Sequence, residues 1–185
     1  MTTPRHFPTI STIALALLFV GMQSVAFGQK FFTRVGSVNF FSSTPVEDIE
    51  AESEALTAIF DASTGEVAFQ VAMRSFHFPN ALMEEHFNEN YVESEIYPKA
   101  TFSGSVVGWP VDGSAVVARG ELTCHGVAVT REISGTLRQN DEGRWVLEAA
   151  FDVPTADHEI PIPAVVRENI AESIAVQVKA TLQPK

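Results

Sequence analysis

The chain has one cysteine in 185 residues. Cys124 has no partner for an internal disulfide, so the fold must be held by burial of apolar side chains rather than by cross-links. Basic residues are scarce as well: 12 Lys and Arg stand against 23 Asp and Glu, a formal charge of −11. That excludes nucleic acid as a partner, because phosphate binding needs clustered cations. No stable membrane span is expected, since a spanning helix takes roughly 20 apolar residues and the uncharged run Ile10 to Val20 falls well short. There is no Gly-x-Ser-x-Gly nucleophile elbow. The fourth position after His86 is Asn90, so the paired imidazoles of a zinc-protease helix are missing too.

The apolar run does have a context. Arg5 and His6 precede it, and small residues follow in Ser24-Val25-Ala26 and Ala26-Phe27-Gly28. This order of charged, apolar and small segments marks a secretory signal peptide over residues 1–28, with cleavage after Gly28 preferred to cleavage after Ala26. A membrane anchor is the weaker alternative. Removal takes away Arg5 and no acidic side chain, moving the formal charge to about −12 and leaving about 157 residues, 29–185, for a single domain. The expected location is the periplasm, with secretion the alternative.

Downstream, apolar and polar residues alternate. Val67, Phe69, Val71 and Met73 share one face of residues 66–74, with Glu66, Gln70 and Arg74 on the other. The same period places Val116, Ala118, Gly120, Leu122 and Cys124 inward, with His125 outward. It also places Ile133, Gly135 and Leu137 inward, then Trp145, Leu147, Ala149, Phe151 and Val153, then Ile174, Val176, Val178, Ala180 and Leu182. Strands near 32–42, 53–61 and 100–109 alternate less cleanly. Ser63-Thr64-Gly65, Asp112-Gly113-Ser114 and Asn140-Asp141-Glu142-Gly143 supply turn chemistry between them. About eight antiparallel strands with one apolar face each must bury those faces, so the predicted fold is all-β, a closed barrel before a sandwich.

Two stretches interrupt the alternation. Asn80 is placed to cap a short helix from Ala81, with Glu84 and Glu85 near its positive end and Leu82, Met83, His86 and Phe87 on one face. Ile160-Pro161-Ile162-Pro163 leads into residues 164–172, where Val166 and Ile170 can bury one side of a second brief helix.

His86-Phe87 through Tyr97-Pro98-Lys99-Ala100-Thr101-Phe102, followed by Gly120-Glu121-Leu122-Thr123-Cys124-His125-Gly126-Val127, resembles the YceI family, the polyisoprenoid-binding or lipid-binding-like family. The resemblance covers most of residues 31–183. It implies a lipocalin-like eight-stranded barrel in the periplasm whose interior accepts the isoprenoid tail of a lipid or quinone. The chain departs from the family pattern at Arg131-Glu132, around Phe151 to Asp157, and at Cys124, where an aliphatic residue is usual.

Glu84, Glu85, His86 and Glu89 invite an enzymatic interpretation, but no spacing among them enforces the opposed environments that acid–base pairs need. They are expected to be a solvated helix face, with no catalytic residue, no metal site and no cofactor. Cys124 is expected to be a small apolar filler. The inward faces mix Phe69, Trp145 and Phe151 with Gly104, Gly108, Ala118, Gly120, Gly135, Ala149 and Ala180. Small residues there either leave a cavity or fit the taper of a filled barrel. If a cavity exists, its expected wall is Phe69, Val71, Met73, Phe102, Leu122, Trp145, Leu147 and Phe151, with Met83 and Phe87 as a lid. The expected function is binding or transport of a long apolar ligand, an isoprenoid quinone or polyprenyl lipid, with a homodimer left open. The alternatives are a solid-core stress-response or protein-interaction module and, behind it, a metal-dependent hydrolase built on His86.

Overall fold

A computed structural model describes residues 29–111 and 113–185; the expected signal peptide, 1–28, lies outside the described residues. Eight antiparallel strands follow one another around a closed barrel: β1 (Lys30–Ser43), β2 (Asp48–Asp61), β3 (Glu66–Ala72), β4 (Lys99–Val106), β5 (Ala115–Cys124), β6 (Val127–Gln139), β7 (Trp145–Pro154) and β8 (Ser173–Pro184). Closure comes from β1 pairing with β8, for example Val38 with Val178 and Phe40 with Val176, so that each strand has a paired neighbour on both sides. The family's barrel architecture is thus present, with every strand joined to its sequence neighbour.

The strands alternate because one face meets the lumen. Along β2, Ala51, Ser53, Leu56, Ala58 and Phe60 are buried between more exposed neighbours. β1 keeps this pattern only by slipping register on both sides of Gly36. A Cβ at that glycine would stand 2.9 Å from the Lys179 carbonyl oxygen, and the slip leaves Val35 82% exposed.

One end of the barrel is shut. Phe60 meets Trp109 and Trp145 edge-on, each with ring centroids 5.1 Å apart, and Phe31 packs against Trp145 at 6.2 Å. Such edge-to-face contacts add to the burial of large apolar area. Trp109 is anchored by its indole N–H, which donates to the Ala62 carbonyl at 3.1 Å. It lies across Gly65, where φ is +79° and a Cβ would fall 2.5 Å from the indole. Trp145 belongs to this floor and not to the wall of the lumen expected for it. As the first residue of β7 it stands at the level where the aromatic rings meet across the barrel.

The other end carries the irregular segments. β3 stops at Ala72, short of the expected Arg74, because Met73–Ser75 forms a 3-10 turn whose first amide donates to the Pro98 carbonyl. Helix α1 (Ala81–His86) begins where expected: the Asn80 side chain accepts from the Leu82 amide at 2.9 Å. The helix widens into a π-helical turn over Phe87–Tyr91, which the periodicity did not foretell. The second helix, expected within 164–172, shrinks to one 3-10 turn, Ala164–Val166, and another 3-10 turn, Thr155–His158, follows β7.

Two small inward residues play a different part from the one expected. Gly104 on β4 pairs directly with Gly120 on β5, and a Cβ on Gly120 would come within 2.3 Å of the Ser103 carbonyl oxygen and 2.7 Å of the Gly104 Cα. They allow two backbones to approach, as at a barrel corner. Gly108, expected on the inward face, lies beyond β4 in the following turn at φ +70°. Replacing Gly120 with alanine should therefore cost about 1–3 kcal/mol through overpacking, read as a lower urea midpoint.

Candidate functional site

The inner faces do not meet in the middle of the barrel. They enclose an apolar cavity of about 520 Å³, within the range of about 300–1,000 Å³ usual for small-molecule sites. Its inner end is bounded by Leu56, Val67, Val106, Leu137 and Leu147. Ala100, Ala118, Gly135 and Ala149 also line the wall, and side chains this short cannot reach across an eight-stranded ring.

Nine of the ten residues expected at the site line this space: Phe69, Val71, Met73, Met83, Phe87, Phe102, Leu122, Leu147 and Phe151. Trp145 does not, since it forms the floor. The alternation did not single out Phe40, Phe76 and Phe78, which gather with Phe87 at the mouth. Phe40 stacks on Phe87 at 5.4 Å and lies 5.3 Å from Phe76, and Phe78 sits 5.1 Å from Phe87. This cluster ties α1 to β1. Opposite it, Ile160, Ile162, Val166 and Ile170 complete the rim; the sequence marked Val166 and Ile170 only as the buried side of a brief helix. Leu82, also in the lining, is 56% exposed.

Several polar groups stand at the mouth. Asn169 donates from Nδ2 to Glu47 Oε2 at 3.0 Å, and the Ser42 hydroxyl accepts from the Ala171 amide at 2.9 Å. Tyr91 lines the opening, and desolvation pushes its phenol above the usual value, keeping it a neutral donor. Of the helix glutamates, Glu84 accepts from the Phe78 amide at 3.2 Å and stands 3.7 Å from His77; it fastens the segment before α1. His86 lines the mouth. Among the described residues, no three His, Cys, Asp or Glu side chains converge as a metal site requires.

His125 is not on an outward strand face. β5 ends at Cys124, and His125 and Gly126 form a two-residue hairpin loop, with φ of +50° and +75°. The alternation, carried one residue too far, pointed it outward. The imidazole is nearly buried: Nε2 lies 2.9 Å from Glu93 Oε2 and Nδ1 3.1 Å from the His158 carbonyl oxygen. Both of these ring contacts are to oxygen atoms. His158, fully buried, contacts the Val127 carbonyl through Nδ1 at 3.0 Å, and Tyr97 packs on His125 at 4.5 Å. Histidines scattered in sequence are thus joined in a lock holding the β5–β6 turn to the segments after α1 and β7.

Cys124 lines the cavity, as its inward position requires. Burial pushes its thiol up to about 11, so it is a protonated, poorly nucleophilic filler at neutral pH.

Such a closed barrel, shut at one end and hollow and apolar at the other, belongs to the lipocalin-like class of architectures. The YceI-like domain family model matches residues 23–182, and the chain belongs to that family. Similar solved structures include a polyisoprenoid binding domain from Saccharophagus degradans, at 14% identity and TM-score 0.72, covering 85% of this chain and 99% of that one. Burkholderia cenocepacia BcnA is 17% identical with TM-score 0.69, covering 80% and 96%. The Campylobacter jejuni YCEI protein is 13% identical with TM-score 0.59, covering 73% and 84%. At these identities the likeness establishes the fold. No curated protein is significantly similar in sequence.

Two outcomes are expected. Replacing His125 with alanine strands Glu93 and the His158 carbonyl and should cost about 1–3 kcal/mol in urea unfolding. The Cys124 thiol keeps its proton to higher pH when folded than its ordinary value of 9.0. Its contribution is therefore full below pH 9 and is lost as pH rises toward about 11, amounting to about 2–3 kcal/mol at most. Unfolding at pH 8 and pH 10.5 should show Cys124→Ala losing less stability over that interval than the parent.

Proposed function

We propose that the protein is an exported, non-enzymatic carrier that shelters one long apolar molecule, an isoprenoid quinone or polyprenyl lipid, inside its barrel. The observation that carries this is the cavity: about 520 Å³ walled mainly by Phe, Leu, Val, Ile and Ala side chains. Sequestering a dozen methylenes there removes about 10 kcal/mol of unfavourable hydration, before the cost of immobilising the chain. No catalytic group is needed for that gain. The polyisoprenoid binding named for the Saccharophagus degradans domain supports the same ligand class. The charged, apolar and small segments of residues 1–28 support export to the periplasm. A solid-core interaction module is disfavoured, because such a module needs a filled interior.

The experiment is extraction of purified protein into organic solvent followed by mass spectrometry, with a long-chain isoprenoid or other lipid expected at close to one per protein. Repeated recovery of ligand-free protein that also takes up no added lipid would overturn the proposal. A filling substitution gives the second arm. Ala118→Trp, projecting into the cavity, should lower lipid occupancy about tenfold or more while the barrel's circular dichroism is retained.

A further inference from the structure

The rim carries information about the ligand's head. Its three segments, 44–47, 80–91 and 160–172, hold Glu47, Glu84, Glu85, Glu89, Glu168 and Glu172 against one arginine, Arg167, no lysine and one imidazole, His86. Arg167 is exposed and is not part of the cavity wall. Among the described residues, no lysine or arginine lines the cavity at any depth. Other cations are engaged elsewhere, Arg74 with Glu95, Arg119 with Glu132 and Arg131 with Asp157. The mouth instead offers acceptors and neutral donors: the Glu47 carboxylate, which already accepts from Asn169 Nδ2, together with the Asn169 side-chain oxygen and the Tyr91 hydroxyl.

A phosphate drawn into this mouth by its buried tail would lose water without gaining a cationic partner and would face Glu47 at close range. A hydroxyl or quinone carbonyl would meet a hydrogen-bonding partner at no such cost. Resting on the carrier function above, we propose that the mouth selects long-chain ligands with an uncharged head and rejects their phosphorylated counterparts, with Glu47 the residue that sets this preference.

The test pairs two ligands with one tail. Geranylgeraniol and geranylgeranyl monophosphate are titrated against Nile red held by the purified protein, at physiological and at high salt. The alcohol should displace the dye at about tenfold lower concentration or less, and the gap should narrow only partly with salt, since a desolvated charge is poorly screened. Glu47→Lys should strengthen displacement by the phosphate about tenfold and so close or reverse the gap between the two ligands. Equal or tighter binding of the phosphate by the parent overturns the selection while leaving the carrier function intact. So does a Glu47→Lys protein that melts like the parent yet shows no gain. Failure of both ligands to displace the dye overturns the carrier function and the selection together.

Discussion

The hydrogen bonds that join β1 to β8 impose the constraint from which the rest of the molecule follows. Once the ring of eight strands is closed, its circumference is fixed and only side-chain volume decides what remains inside. Volume is distributed unevenly along the axis. Phe31, Phe60, Trp109 and Trp145 fill one end, whereas Ala100, Ala118, Gly135 and Ala149 line the cavity. The same ring is a packed core at one level and a container at the next. Gly104 and Gly120 contribute not by emptying the lumen but by letting β4 and β5 approach.

The mouth is held by side chains more than by backbone. A six-residue helix has no stability of its own, and α1 stays in place through Phe87 among Phe40, Phe76 and Phe78 and through the Glu84 contact with the Phe78 amide. The barrel wall, by contrast, is laced by strand pairing on every side. Opening the lid therefore disrupts one aromatic cluster and leaves the ladder intact, placing it at the low end of the molecule's local stabilities. On the far side the His125–Glu93 contact and the buried His158 hold the β5–β6 turn firmly. Entry and exit of a guest are thus expected on the α1 side.

Much of this was legible in the sequence because a period of two specifies which residues share a face, and a one-residue slip would bury the wrong set. Leu122, Leu147 and Phe151 were placed on the lumen on that ground alone. Period says nothing of height along the axis, which is why Trp145, on the correct face, was expected in a wall when it forms the floor. Nor does it show where a strand ends. Alternation runs smoothly from Leu122 through His125, and only the positive φ of a two-residue loop, signalled by Gly126, turns the imidazole inward. The Glu93 partner, from a segment without period, was not readable at all. The capacity of the lumen was undetermined for a related reason: alanines and glycines look alike whether they line a void or relieve a close contact.

The void is the least neutral feature of the structure. Residual cavities cost about 24 cal/mol per Å³ in mutated cores, so 520 Å³ scales to an upper figure on the order of 10 kcal/mol, as large as the net stability of many domains. Water entering through the mouth relieves part of this, though an apolar wall gives it few partners. Substitution of Ala118 or Ala149 by larger aliphatic residues would recover some of that energy within the same fold, and such changes are a single step from the present sequence. Two tryptophans and two phenylalanines pack the floor while alanines and glycine line the cavity, the distribution the proposed carrier function needs. Departures from good packing of this size, confined to one level of an otherwise consistent fold, mark the place where function resides.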